Sequence, residues 1–183
     1  MSDEESRARA ANGPGAALTV SLKDVVMGGV CGPVSIGMTR AQVQEALGPH
    51  DWSARDAARR GDDPWRTSGI WKYGDLEFHF GLLEEDRLAL IFMDDITVPH
   101  GGRAIALDPW IIRRDLSQGE AEQALRAGRI SFRRIASRYD EDVTGLAVGA
   151  RIRLWFTPHE PSEPPRLQAF VCTDPRLPAI ETT

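Results

Sequence analysis

The stretch IGMTRAQVQEALGPH, Ile36 to His50, contains both ends of a short helix. Thr39 is placed to act as N-cap, and Gln42, three residues on, reaches back to complete a capping box. Val43, Ala46 and Leu47 recur at helical spacing and form one apolar stripe. Gly48 suits the C′ position and Pro49 forbids continuation. None of these side chains is a catalyst, so the stretch reads as structure rather than as a site.

Its value lies in its repetition. LSQGEAEQALRAG, Leu116 to Gly128, aligns with it when Thr39 is set against Ser117. Gln42 then faces Glu120, Val43 faces Ala121, Ala46 faces Ala124 and Leu47 faces Leu125. Downstream, DLEFHFG (Asp75–Gly81) faces RIRLWFT (Arg151–Thr157), and RLALIFMDD (Arg87–Asp95) faces RLQAFVCTD (Arg166–Asp174). Repetition at a near-constant offset is the mark of a repeated structural unit. The expected fold is α+β: a tandem duplication of a helix plus antiparallel-strand unit, forming one curved sheet backed by helices. Residues 1–17 read as a disordered polar lead, 18–97 as unit one, 98–175 as unit two and 176–183 as a tail. Units of roughly 70 residues bury little core alone, so the two are expected to share one.

Strand patterns follow from the same alignment. GIWKYGDLEFHFG reads as a hairpin turning at Gly74-Asp75. LLEEDRLALIFMDD adds a turn at Glu84-Glu85-Asp86 and a third strand. VTGLAVGARIRLWF reads as one long strand of unit two, and PPRLQAFVCT as its last. Leu18–Met27 reads as a strand or a helical turn, and DWSARDAARRGDDPWRT as a loop. Successive strand side chains point to opposite faces. Strict alternation therefore puts Leu76, Phe78, Phe80, Leu88, Leu90, Phe92, Ile152, Leu154, Phe156, Leu167, Ala169 and Val171 under the helices. The other face receives Asp75, Glu77, His79, Arg87, Ala89 and Ile91 in one unit. In the other it receives Arg151, Arg153, Trp155, Arg166, Gln168 and Phe170.

Composition narrows the function. A formal net charge of −5 argues against a general nucleic-acid or membrane-surface binder. No apolar run approaches membrane-spanning length. The acidic lead lacks the apolar core of a signal peptide, so a cytoplasmic location is expected. Cys31 and Cys172 have no metal-ligand spacing and read as free thiols.

Signatures of catalysis are missing: there is no P-loop, no Gly-x-Ser-x-Gly elbow and no His-Glu-x-x-His. Neither enzyme activity nor a cofactor is expected. Glu77 and His79, two apart on one strand, suggest an alternative: a small metal-dependent enzyme completed by a carboxylate such as Asp94. The basic runs RRDLS and SFRRIASR read as solvated strand faces or partners for the chain's own acids. Arg and aromatic residues, by contrast, are enriched where binding energy concentrates. Arg151, Arg153, Trp155, Arg166, Gln168, Phe170, Glu77 and His79 are therefore the candidate partner-binding residues, on one exposed sheet face.

The Gly-Met-Thr, helix, Leu-Gly-Pro pattern of Ile36–His50 resembles that of the outer-membrane assembly lipoprotein superfamily. The repeated helix–strand unit is similar to the tandem architecture of the β-lactamase-inhibitory-protein family. YGDLEFHF and LDPWIIRRDLS also resemble stretches of uncharacterised bacterial immunity-type proteins. The resemblance implies a sheet that binds another protein, such as a toxin or an enzyme, and no enzyme activity of its own. A housekeeping adaptor is the other non-enzymatic reading.

Overall fold

A computed structural model describes residues 17–53, 69–84, 86–94, 96–137, 140–158, 160 and 162–177. The elements in chain order are β1 (Leu18–Ser21), α1 (Leu22–Gly28), β2 (Val30–Cys31), β3 (Val34–Ser35), α2 (Arg40–Leu47), β4 (Trp52–Ser53), β5 (Gly69–Tyr73), β6 (Leu76–Phe80) and β7 (Leu88–Met93). They continue with β8 (Ile105–Asp108), α3 (Gln118–Ala127), β9 (Phe132–Ala136), β10 (Thr144–Val148), β11 (Ile152–Thr157) and β12 (Arg166–Thr173). Most of the expected lead and of the 51–67 loop lies outside the described residues, as does the end of the tail.

An antiparallel sheet of eight strands dominates, in the order β4-β5-β6-β7-β12-β11-β10-β9. Both expected helices have their capping boxes. Thr39 N donates to Gln42 Oε1 at 2.9 Å while Gln42 N donates to Thr39 Oγ1 at 3.3 Å. Ser117 N donates to Glu120 Oε2 at 2.8 Å while Glu120 N donates to Ser117 Oγ at 3.3 Å. The buried side chains Val43 and Leu47 of α2, and Ala121 and Leu125 of α3, join one core with Leu22, Val25 and Val26 of α1. All three helices therefore pack on the same sheet face.

Corresponding positions of the two halves make the same contacts. Leu88 N donates to Met38 O at 2.8 Å, and Leu167 N to Leu116 O at 2.9 Å. Arg87 Nη1 donates to Gly37 O at 2.7 Å, and Arg166 Nη1 to Asp115 O at 2.7 Å. Each half thus ties the approach to its capped helix to the start of its last strand.

Three expectations need correction. VTGLAVGARIRLWF is not one strand but the hairpin β10–β11, broken at Gly149, whose φ of 56° suits a residue without a Cβ. The linker does more than join the units: its β8 pairs in parallel with β1. Strict alternation also fails, at the same place in both halves. Phe80 pairs with Leu88 but His79 with Leu90, leaving Ala89 as a bulge; Phe156 pairs with Leu167 but Trp155 with Ala169, leaving Gln168 as a bulge. One extra residue reverses the facing of all that follow. Ile91, Met93, Phe170 and Cys172 therefore join the helix-side core, and Leu90, Ala169 and Val171 form a second cluster with Trp155 and Val143 on the opposite face. Phe92 and Ile135 pack partly buried against that cluster. The other eight expected core positions lie under the helices as read.

The hairpin β5–β6 turns where expected. Gly74 has φ 60°, and a Cβ there would collide with the backbone of His100 and Gly102, so the turn is pressed against the linker. Cys31 and Cys172 are unbridged and buried, and burial pushes their thiols up to about 12 and about 11. No helix among the described residues is long and apolar enough to cross a membrane.

Candidate functional site

The face away from the helices carries an unbroken row of directly paired residues across all eight strands. It runs Trp52, Lys72, Glu77, Phe92, Val171, Arg153, Ala147, Arg133. Directly paired residues share a face, with neighbouring strands about 4.8 Å apart. The next positions along place His79 beside Leu90, and Trp155 between Ala169 and Gly145.

The acidic half of the row is internally satisfied. Lys72 Nζ lies 2.7 Å from Glu77 Oε1, and His79 Nε2 donates to Glu77 Oε2 at 2.9 Å. Burial raises the Glu77 carboxyl, but the hydrogen bonds from His79 and Lys72 outweigh it and hold it below the usual range. Both carboxylate oxygens are engaged within the chain. Asp94 is exposed at the end of β7, and among the described residues no three His, Cys, Asp or Glu side chains are grouped to hold a metal ion.

The basic half is not satisfied. Arg153 and Arg133 flank Ala147, and no described carboxylate pairs with either. Arg153 is half-buried, and its one hydrogen bond goes to the neighbouring Ile152 carbonyl at 2.8 Å. Burial first, and the like charge of Arg133 second, lower its affinity for a proton. Two close guanidiniums on an apolar face form a locally positive site on an acidic protein.

The expected site residues therefore separate. Glu77, His79 and Arg153 share this face and are partly open. Trp155 shares it but is 2% exposed, packed over Gly145; a Cβ on that glycine would lie 2.8 Å from Trp155 Cε3. Phe170 is 0% exposed on the opposite face, moved there by the Gln168 bulge. Arg151 lays its side chain against Gly29 beside α1. Arg166 and Gln168 are exposed at the start of β12. The eight residues do not make one exposed surface.

Arg133 was hidden in SFRRIASR. Its neighbour Arg134 points to the helix side and is held by Glu122 of α3 at 2.9 Å, as a partner for the chain's own acid. Arg133 points the other way and has no such partner. Alternation along β9 was the available signal, since consecutive arginines on a strand cannot share a face.

No family model, curated protein or solved structure matches the chain.

Proposed function

We propose that this chain is a non-enzymatic, cytoplasmic protein-binding module, of immunity or inhibitor type, that receives an acidic patch of its partner on the helix-free face. The observation that carries this reading is the Arg133–Arg153 pair, two adjacent guanidiniums with no carboxylate of their own. Desolvated guanidiniums bind carboxylates through paired, charge-assisted hydrogen bonds. Phe92, half-buried in the same row, supplies apolar area beside them. The matched caps, bulges and arginine contacts of the two halves support a tandem duplication, the architecture that the resemblance to the β-lactamase-inhibitory-protein family implies. Two buried, unbridged thiols are compatible with a reducing compartment.

The test is parallel affinity capture with the wild-type chain and the Arg133→Glu/Arg153→Glu variant, followed by binding measurements on any captured protein. A partner held by the wild type and released by charge reversal at unchanged melting temperature supports the reading. A partner held equally by both, or none at all, overturns it.

A further inference from the structure

We infer that the chain has a second, separate binding site: a cleft at the open end of β11 and β12 that takes carboxylate groups. The cleft, about 550 Å³, is lined by Arg114, Asp115, Thr157, Arg166, Leu167 and Gln168 among others, a volume in the range of small-ligand sites. Its charge is positive. Asp115, a carboxylate in the wall, is taken by Arg113, whose Nε lies 2.9 Å from its Oδ1. Arg166 spends one nitrogen on the Asp115 carbonyl and has no carboxylate partner among the described residues. Arg114 is exposed, with no hydrogen bond or ion pair among the described residues.

The fold does not require this dressing. The corresponding place in the other half is built by the same backbone contacts, from Leu88 N to Met38 O and from Arg87 to Gly37 O. There, however, Ile36 stands for Arg114, and the bulge residue is Ala89 rather than Gln168. A cation and an amide have been added to a scaffold that closes without them. The bulge turns Gln168 out of the ladder, beside Arg166 and the Thr157 hydroxyl. Planar, singly charged carboxylates match guanidinium forks, and they meet less repulsion from the nearby Asp115 than a phosphate dianion would. Such carboxylates come from two sources, a free polycarboxylic acid or an acidic peptide segment of another protein. The site shares no residue with the Arg133–Arg153 pair, so it stands or falls independently.

Titration of the full chain with citrate and, separately, with a short oligoglutamate peptide, followed by calorimetry and amide chemical shifts, tests this. Saturable binding of at least one probe is expected, with shifts at Arg114, Arg166 and Gln168 and weakening as salt rises. Citrate alone binding identifies the free acid as the source; the peptide binding more tightly identifies the acidic segment. Arg114→Gln, at an exposed residue with no partner to lose, is expected to weaken binding about tenfold or more, while Arg129→Gln leaves it unchanged. Arg166→Gln, read beside its melting temperature, is expected to act in the same direction. No saturable binding by either probe overturns the site. So does binding that survives Arg114→Gln, or that falls equally with Arg129→Gln.

Discussion

Trp155 carries the sharpest consequence of the structure at the level of single residues. As an exposed anchor it would be a binding hot spot; at 2% exposure, packed over Gly145 beside Ile135, it is core. Trp155→Ala should lower stability by about 3–5 kcal/mol, the range for emptying a buried aromatic site. Urea denaturation measures it, and a loss below about 1 kcal/mol would mean that the indole is not packed as described. Arg133→Ala, by contrast, removes an exposed side chain with no partner and should change stability by about 0.5 kcal/mol or less. The two substitutions therefore separate folding from recognition on the same sheet face.

Among the elements, α3 is fastened to the sheet by one carboxylate. Glu122, 2% exposed, receives Arg126 Nη2 at 2.8 Å and Arg134 Nη2 at 2.9 Å. The Arg134 hydrogen bond, helped by Arg126 against the cost of burial, holds its pKa near about 2, below the ordinary 4.5. A depressed carboxylate pKa means that the unfolded chain takes up the proton first as pH falls. The contribution is therefore full above about pH 4.5 and is lost progressively towards pH 2. Glu122→Gln should cost about 1–3 kcal/mol at neutral pH, towards the lower end because both arginine heads are mostly in water. Melting curves across pH should show wild type and variant converging as pH approaches 2; a constant gap would refute the assignment. The bulges invite a second prediction. Deleting Gln168 restores plain alternation, which turns Phe170 outward and puts Ala169 and Val171 under the helices. Loss of cooperative unfolding is expected, as for several core residues misplaced at once. Gln168→Ala keeps the bulge and should unfold cooperatively, so denaturation of the pair isolates the register from the side chain.

In the whole molecule the seam between β7 and β12 joins the halves, with Ile91 and Cys172 packed on the helix side and Leu90 and Val171 on the other. Strands covered on both faces open only with the global transition, whereas edge strands fray. Amide exchange should therefore be slowest in β7 and β12 and fastest in β4 and β9 at the two edges of the sheet. Edges that outlast the seam would mean that the halves are independent bodies. The caps of α2 and α3, the Gly74 turn and the strand cores around Phe78 and Leu154 were legible in the sequence, because each rests on hydrogen bonds or alternation spanning only a few residues. The site was less so. Alternation along β9 separated Arg133 from Arg134, but only the packing of α3 decided that Arg134 finds Glu122 while Arg133 finds no acid. Likewise, only pairing with β6 and β11 reveals the extra residues Ala89 and Gln168, since a bulge is defined by the partner strand and leaves no mark in its own. The sequence by itself determined which segments are helix and strand and how the two halves correspond. Tertiary structure decided which face Phe170 and Val171 occupy, whether Trp155 meets water and which arginines remain free, because each depends on chain segments far away in sequence that fold against it.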